Sequence, residues 1–155
     1  MNEQELIALI NQVKDTWGME TVNAIIAKIR EEDLMFSGTL ERSILYQQDA
    51  AGEISFFMAD YGIFQDEGVN GTNNNVGSQF TFKGNWKGTA FHLQEWATSK
   101  GLNPYATAKS IQRKGIQPKK FFTSVVESRI NVLGESINQA IADYMNQLIN
   151  RQQRG

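Results

Sequence analysis

The chain has 155 residues, of which 41% are hydrophobic and 21% are charged, and it contains no cysteine. This length and balance predict one folded domain with its own core and argue against global disorder. The missing cysteine excludes disulfides and thiolate chemistry, and no apolar run reaches the roughly 20 residues of a membrane span. The absence of cysteine suits a protein made in a reducing cytosol, and the acidic start lacks the basic and apolar regions of a signal peptide.

The charge is unevenly distributed along the chain. Residues 1–67 carry thirteen acidic and four basic side chains, a net charge of −9. Residues 68–155 carry four acidic and eleven basic side chains, a net charge of +7. Such an asymmetry is typical of a nucleic-acid surface, or of subunits that stack an acidic face on a basic face. The alternative, to which we give equal weight, is that both charged surfaces simply face solvent.

Helical periodicity fills the first part of the chain. Asn2 and Glu5 resemble a capping pair at a helix start. The apolar spacing that follows predicts either one long amphipathic helix or two helices in series that meet at Gly18, with core packing as the role of the apolar stripe. Ser37 is expected to cap a short second helix that runs through Leu45.

The strongest β-type run is Glu53–Met58, and after a turn at Gln47–Gly52 it predicts a strand over Glu53–Ala59. Its alternation places Ile54, Phe56 and Met58 on one face of a strand. Phe57 points to the opposite side, so we expect both faces of the strand to be covered at that point.

An aromatic turn is predicted directly after the strand. Tyr61 and Phe64 lie three residues apart and would share one face of a helical turn. Gly68 ends the turn, because glycine adopts backbone angles that other residues resist. The acidic side chains are expected toward the rim of the turn: Asp60, Asp66 and Glu67.

Residues 69–88 lose all periodicity and are rich in asparagine and glycine, which predicts a long mobile arm. Three aromatic side chains interrupt this arm: Phe80, Phe82 and Trp86. Because large aromatic side chains are stabilised when they leave water, we expect part of the arm to dock on this subunit or on a neighbour.

The C-terminal half returns to helical patterns. A helix is expected at 89–100, and Asn103 with Pro104 predicts the start of a basic helix. Pro118 is predicted to open a long last helix with a near-heptad seam and with fraying over 151–155. The seam could pack on the sheet, which is the commoner outcome, or pair with a helix of a partner. The seam residues are Val126, Ile130, Leu133, Ile137, Ala140 and Tyr144.

These elements together predict a single α+β domain that spans residues 1–155. In this fold a small β-sheet is packed by the long C-terminal helix and by the N-terminal helices. A long central loop separates the two halves. No second core is needed to account for a chain of this length.

The residues that hydrolytic or redox chemistry requires are scarce. His92 is the single histidine and lies three residues before Glu95, which is a weak metal pair without further ligands. No nucleophile elbow and no phosphate-binding Walker sequence occurs. We therefore expect no cofactor and no enzyme activity, with a small hydrolase that uses Asp60 or Glu67 as an alternative.

Three short motifs occur in an order that is typical of one protein family. Gly38–Ile44 reads Gly-x-Leu-x-x-Ser-Ile, and residues 61–68 form an aromatic turn that closes on Glu-Gly. Pro118 is followed by Phe121 before the long last helix. Over about residues 20–150, these motifs resemble the neck and tail-completion proteins of tailed bacteriophages. The long loop at 69–88 and the helix that follows Pro104 are additions to the compact form of that family.

The resemblance implies a structural protein of the virion. Members of the family are α+β domains that form rings between the portal and the tail. The implied partners are other copies of this chain and neighbouring connector, portal or tail proteins, with transient contact to genomic DNA and none with a membrane. The implied location is the head–tail connector, after synthesis in the host cytoplasm. The assembly interface is expected to comprise Tyr61, Phe64, Glu67, Gly68, Phe80, Phe82, Trp86, Lys109, Arg113 and Lys114.

The basic residues between 100 and 120 leave a second function open, which is that of a DNA-binding accessory protein that contacts the phosphate backbone. This segment matches no helix-turn-helix, zinc-finger or RNA-recognition signature. Within a ring, Lys109, Arg113 and Lys114 would face either a DNA channel or the acidic half of the adjacent subunit. The complementary charges of the two halves favour the subunit interface.

Overall fold

The computed structural model describes residues 2–32, 34, 37–82, 94 and 96–155. Within these ranges the chain forms long helices at its two ends and short antiparallel strand pairs between them, which confirms the predicted α+β class. The helices are α1 (Glu3–Glu31), α2 (Ser37–Ser43), α3 (Gly62–Glu67), α4 (Pro104–Lys114) and α5 (Thr123–Gln153). The strands are β1 (Leu45–Gln48), β2 (Ile54–Phe57), β3 (Val69–Asn70) and β4 (Gly115–Ile116).

The N-terminal helix α1 is continuous over 29 residues, so the chain forms one long helix rather than two. Asn2 and Glu5 form the expected capping box, in which each side chain accepts the backbone N–H of the other, at 2.8 and 2.6 Å. Gly18 does not break the helix. It lies against the ring of Tyr46, and a Cβ at this position would come within 2.6 Å of the Tyr46 Cδ2 atom. The glycine therefore lets β1 approach α1 closely.

The two long helices run antiparallel and make the most extensive contact of the fold. Trp17 of α1 is buried, and its Nε1 donates to the carbonyl oxygen of Arg129 in α5 (2.8 Å). The guanidinium of Arg129 donates to Thr21 Oγ1 (2.9 Å) and pairs with Glu20 (3.1 Å). The last helix thus packs mainly on α1, and its start also meets the sheet, where the ring of Phe122 contacts that of Phe56. Two-stranded sheets are too small to cover a helix of 31 residues.

The strands β1 and β2 form an antiparallel hairpin that lies on α1. Its inner face carries Tyr46 and Phe56, and the Phe56 ring meets the ring of Trp17 edge-on, with centroids 5.8 Å apart. Leu45 belongs to β1 instead of the end of α2, and Phe57 is 52% exposed instead of covered. Within the described residues only the inner face packs on another element, so the outer face meets solvent.

The hydrophobic core lies where the second half of α1 meets α2 and the entry to α5. Phe121 is fully buried at this point, as predicted, and the next ring, Phe122, meets Phe56 edge-on at a centroid distance of 5.9 Å. The buried core residues are Ile25, Ile29, Leu34, Leu40, Ile44 and Phe121. The apolar stripe predicted on the first helix therefore serves the core.

The last helix begins later than predicted. α5 starts at Thr123, and Pro118 lies in the irregular segment before it. Of the predicted seam, Ala140 is buried, most of the others are half-buried, and Ile130 is 53% exposed. The prediction for Ile130 is wrong because Arg129 makes the contact with α1, and a straight helix drifts away from a strict heptad spacing. The helix continues to Gln153, into the segment that was expected to fray.

Some predictions fall wholly or partly outside the described residues. For the helix expected at 89–100, the described residues 94 and 96–99 are helical, and Gly101 follows with a positive φ of 70°. This is the conformation that commonly ends a helix. Of the residues named in the predictions, Ser37 has its side chain outside the described part, and Trp86, His92 and Glu95 lie outside it entirely.

Phe121→Ala should lower the free energy of unfolding by about 2–5 kcal/mol, because the side chain is fully buried. Leu133→Ala should cost less, since this side chain is only half-buried. The exposed Glu135→Ala is the control on α5 and should change the free energy by less than about 0.5 kcal/mol. Urea unfolding followed by circular dichroism measures all three variants. Equal losses at the three positions would contradict this packing.

Candidate assembly surface

The carboxylate of Asp66 joins α3 to the start of α5. Its Oδ1 accepts the backbone N–H groups of Phe122 (2.8 Å) and Thr123 (3.1 Å), and its Oδ2 accepts the Thr123 hydroxyl. Asp66 is only 2% exposed, so its predicted position at the rim is wrong. No side chain at the N-cap position of α5 caps this end. Asp66 therefore supplies the acceptor and the negative charge that the N-terminus of a helix favours.

Backbone hydrogen bonds reinforce the same junction. Lys119 and Lys120 donate their N–H groups to the carbonyl oxygens of Gln65 and Asp66, both at 3.0 Å. Lys120 adopts a left-handed backbone conformation, with φ of 50°, at the turn into α5. The acidic turn and the entry to the last helix therefore form one structural unit.

Tyr61 and Gly68, at the two ends of α3, serve packing. Tyr61 packs against the core, and burial raises the pKa of its phenol, while a hydrogen bond to Thr39 acts in the opposite direction. Gly68 has a φ of 78°, and a Cβ at this position would lie 2.6 Å from the carbonyl oxygen of Ile116. Glycine therefore allows the segment after α3 to approach β4.

Phe64 and Glu67 face the loop that follows α3. Phe64 is 39% exposed and meets Phe80 edge-on, with ring centroids 5.1 Å apart. The carboxylate of Glu67 accepts a hydrogen bond from the side-chain amide of Gln79. The aromatic turn and the loop therefore share one partly exposed surface.

Asn70 organises this loop. Its Oδ1 accepts the N–H groups of Val76 (2.9 Å) and Ser78 (3.1 Å), and its Nδ2 donates to the carbonyl oxygen of Ser78 (2.7 Å). Its backbone N–H donates to Phe80 O (2.8 Å), and its carbonyl accepts from Phe82 N (3.0 Å). One residue thus closes the loop on itself. The rest of the predicted arm, from residue 83, lies outside the described residues, and the mobility of the arm stays a prediction.

The loop also covers the C-terminal end of α4. Thr72 and Asn73 donate their N–H groups to the carbonyl oxygens of Gln112 (2.8 Å) and Arg113 (3.0 Å). The last carbonyls of a helix have no partner within the helix and need one from elsewhere. The strand β3 continues this contact by pairing with β4, which directly follows α4. The loop therefore fixes the position of α4.

The helix α4 presents basic side chains to solvent. Asn103 caps its first turn and Pro104 occupies the first helical position, as predicted. Lys109, Arg113 and Lys114 are exposed, and none of them forms an ion pair with another described residue. Cations near a helix C-terminus are electrostatically favourable. The three charges are therefore held on a fixed helix and are available to a partner.

The structure gathers part of the predicted interface into one region. Phe64 and Phe80 are in contact, and the loop that carries Phe80 caps the basic helix α4. Phe82 is half-buried at the end of that loop, whereas Tyr61 lies against the core. Trp86 lies outside the described residues.

Two exposed apolar surfaces were not predicted from the sequence. On the hairpin, Leu45 and Phe57 lie directly opposite each other and are 60% and 52% exposed. A second strand placed before the predicted turn, and paired with the predicted strand after it, would have revealed this surface from the sequence. On α5, exposed apolar side chains run beside the contact with α1: Ile130, Ile141, Met145 and Ile149.

The remaining chemistry of the described residues is limited. No group of three or more histidine, aspartate or glutamate side chains within these ranges is arranged to hold a metal ion. Asp60 is exposed and Glu67 is half-buried, and Asp66 is the buried acid whose oxygens accept the N–H groups of α5. No helix in the described part of the chain is both long and apolar enough to cross a membrane.

Comparison with known proteins adds no relative. No family model, no curated protein and no solved structure matches this chain. Its function must therefore be inferred from its own residues and contacts.

Asp66→Ala should lower the free energy of unfolding by about 1–3 kcal/mol, because it leaves N–H groups at the start of α5 unpaired. Asp66→Asn keeps one carbonyl oxygen as an acceptor and should cost less. Asp60→Ala, at an exposed acid close in sequence, is the matched control. Urea unfolding of the three variants checks the expectation. Equal losses of unfolding free energy for Asp66→Ala and Asp60→Ala would contradict the role of Asp66 in joining α3 to α5.

Asn70→Ala should open the loop over 70–82, because its side chain makes four hydrogen bonds within that loop. The amides of Val76 and Ser78 should exchange with solvent roughly tenfold faster. Hydrogen exchange followed by NMR measures this. Thr72→Ala removes an exposed side chain from the same loop and serves as the control. Unchanged exchange at both amides in the Asn70 variant would contradict the role of this residue.

Proposed function

We propose that this chain is a structural subunit of the head–tail connector of a tailed bacteriophage. Copies of it form a ring that links portal-side and tail-side components. The motifs at Gly38–Ile44, at 61–68 and at Pro118 with Phe121 support this assignment. The role is one of assembly in the virion, without a cofactor and without catalysis, after synthesis in the host cytoplasm.

The exposed basic face of α4 carries the proposal. Lys109, Arg113 and Lys114 lie on a helix that Asn103 caps at one end and the 70–82 loop covers at the other. A head-to-tail ring needs two unlike surfaces on each subunit. A fixed positive surface, on a chain whose first 67 residues carry a net charge of −9, supplies one half of such a contact.

A DNA-binding accessory protein is the second candidate, and it would use the exposed basic residues between 100 and 120, which are Lys100, Lys109, Arg113, Lys114, Lys119 and Lys120. Neutralising six phosphates would give an affinity that falls with salt at a logarithmic slope of about −5. The segment matches no known DNA-recognition signature, and the complementary charges of the two halves of the chain favour the ring.

The mass of the protein in solution discriminates between the two functions. Native mass spectrometry and electron microscopy of the purified chain, alone and with portal protein, should show a closed ring whose mass is a multiple of the subunit mass. A chain that stays monomeric in both mixtures, and that binds duplex DNA in a salt-dependent way, would replace the ring by the DNA-binding function.

A further inference from the structure

The outer face of the β1–β2 hairpin is a ladder of three cross-strand pairs. The pairs are Leu45 with Phe57, Gln47 with Ser55, and Asp49 with Glu53. The last pair extends the strand register through the N–H of Asp49, which donates to the carbonyl oxygen of Glu53 (3.0 Å). Because alternate residues of a strand share a face, an apolar, a polar and an acidic pair follow one another along the hairpin.

Contact with a partner would stabilise both ends of this ladder. Leu45 and Phe57 are 60% and 52% exposed. Asp49 and Glu53 are exposed and form no ion pair with any described residue, although like charges placed opposite each other destabilise a strand pair. Lys14 lies beside the turn, but its ammonium donates to a turn carbonyl oxygen (3.0 Å) instead of to either acid. A cation from another molecule would stabilise the acidic end.

The exposed face of α4 has the complementary order. Tyr105, Lys109 and Arg113 follow one another at intervals of four residues, so they lie along one side of the helix. Tyr105 is 63% exposed, and Leu102, just before the helix, is 47% exposed. The face is therefore apolar toward its N-terminal end and positive toward its C-terminal end.

The two surfaces also match in length. Asp49 lies four residues after Leu45, which is about 13 Å along a strand. Arg113 lies eight residues after Tyr105, which is about 12 Å along a helix. When Tyr105 covers the apolar pair of the hairpin, Arg113 therefore reaches the acidic pair.

We infer that the outer face of the β1–β2 hairpin is the docking site for α4 of a second copy of this chain. The inference rests on the proposed ring, and it names the two unlike surfaces that such a ring requires. Apolar burial at one end stabilises the contact, and charge pairing at the other end sets its direction and register. Each subunit offers its hairpin to one neighbour and its α4 to the other, so the contact repeats around the ring.

Two charge-altered variants test the docking site. The hairpin variant combines Asp49→Asn with Glu53→Lys, and the asparagine keeps the oxygen that accepts the N–H of Glu53 within the turn (2.9 Å). The α4 variant combines Lys109→Glu with Arg113→Glu. Sedimentation should show self-association at least about tenfold weaker for each variant alone. An equimolar mixture should restore assembly, because the altered hairpin then meets an altered α4.

Matched controls separate docking from folding. Glu127→Lys with Glu135→Lys changes two exposed acids on α5 and should assemble like the wild type. Phe57→Ser should weaken assembly, whereas Gln47→Ser on the same face should have little effect. Every variant should keep a thermal midpoint close to that of the wild type, since all the altered side chains are exposed.

The outcomes distinguish the docking site from the ring itself. Normal rings from both altered variants would overturn the docking site and leave the proposed function in place. A mixture that stays dissociated, although each variant is folded, would also overturn it. An α4 variant that assembles normally but impairs DNA delivery would assign the cations to a DNA channel instead. A wild-type chain that stays monomeric, alone and with portal protein, would overturn the ring and the docking site together.

Discussion

The arrangement of this chain depends on one buried carboxylate. Asp66 accepts two N–H groups and a hydroxyl at the start of α5, which has no cap from its own N-cap side chain. This contact sets the point from which α5 extends along α1, next to the fully buried Phe121. On its other side, α3 leads directly into the loop that closes on Asn70 and covers the end of α4. The core and the basic surface are thus positioned by the same short helix.

Local features of the fold could be predicted from the sequence, because their causes lie within a few residues. The capping box of Asn2 and Glu5 and the start of α4 at Asn103 and Pro104 are both made by side chains that bond or constrain the adjacent backbone. The exposed cations of α4 were predicted on the same basis, since a short polar helix leaves most of its side chains in solvent.

Features that depend on distant neighbours could not be predicted in this way. Asp66 accepts hydrogen bonds from Phe122 and Thr123, which follow it by 56 and 57 positions in the chain. Nothing close to Asp66 in the sequence indicates that its carboxylate is buried. Whether Phe57 is covered depends on how many layers pack on the hairpin, which a strand pattern alone does not specify. The hydrogen bonds of the Asn70 loop could not be predicted because they connect one side chain to a segment without periodicity. The hairpin surface was missed for a related reason, since Leu45 was assigned to a helix.

The antiparallel pairing of α1 with α5 also has a consequence for how the chain folds during translation. Trp17 and Thr21 leave the ribosome early, but their hydrogen-bond partner Arg129 lies more than 100 residues later. Contacts of such large sequence separation form slowly, since a long loop must close first. The part of α1 that packs on α5 therefore stays exposed until α5 has been synthesised, although α2 and the hairpin can already cover the rest of its apolar stripe. A ribosome that stops before α5 releases a chain in which this part of α1 stays exposed, and such exposed apolar surface is what chaperones and proteases bind.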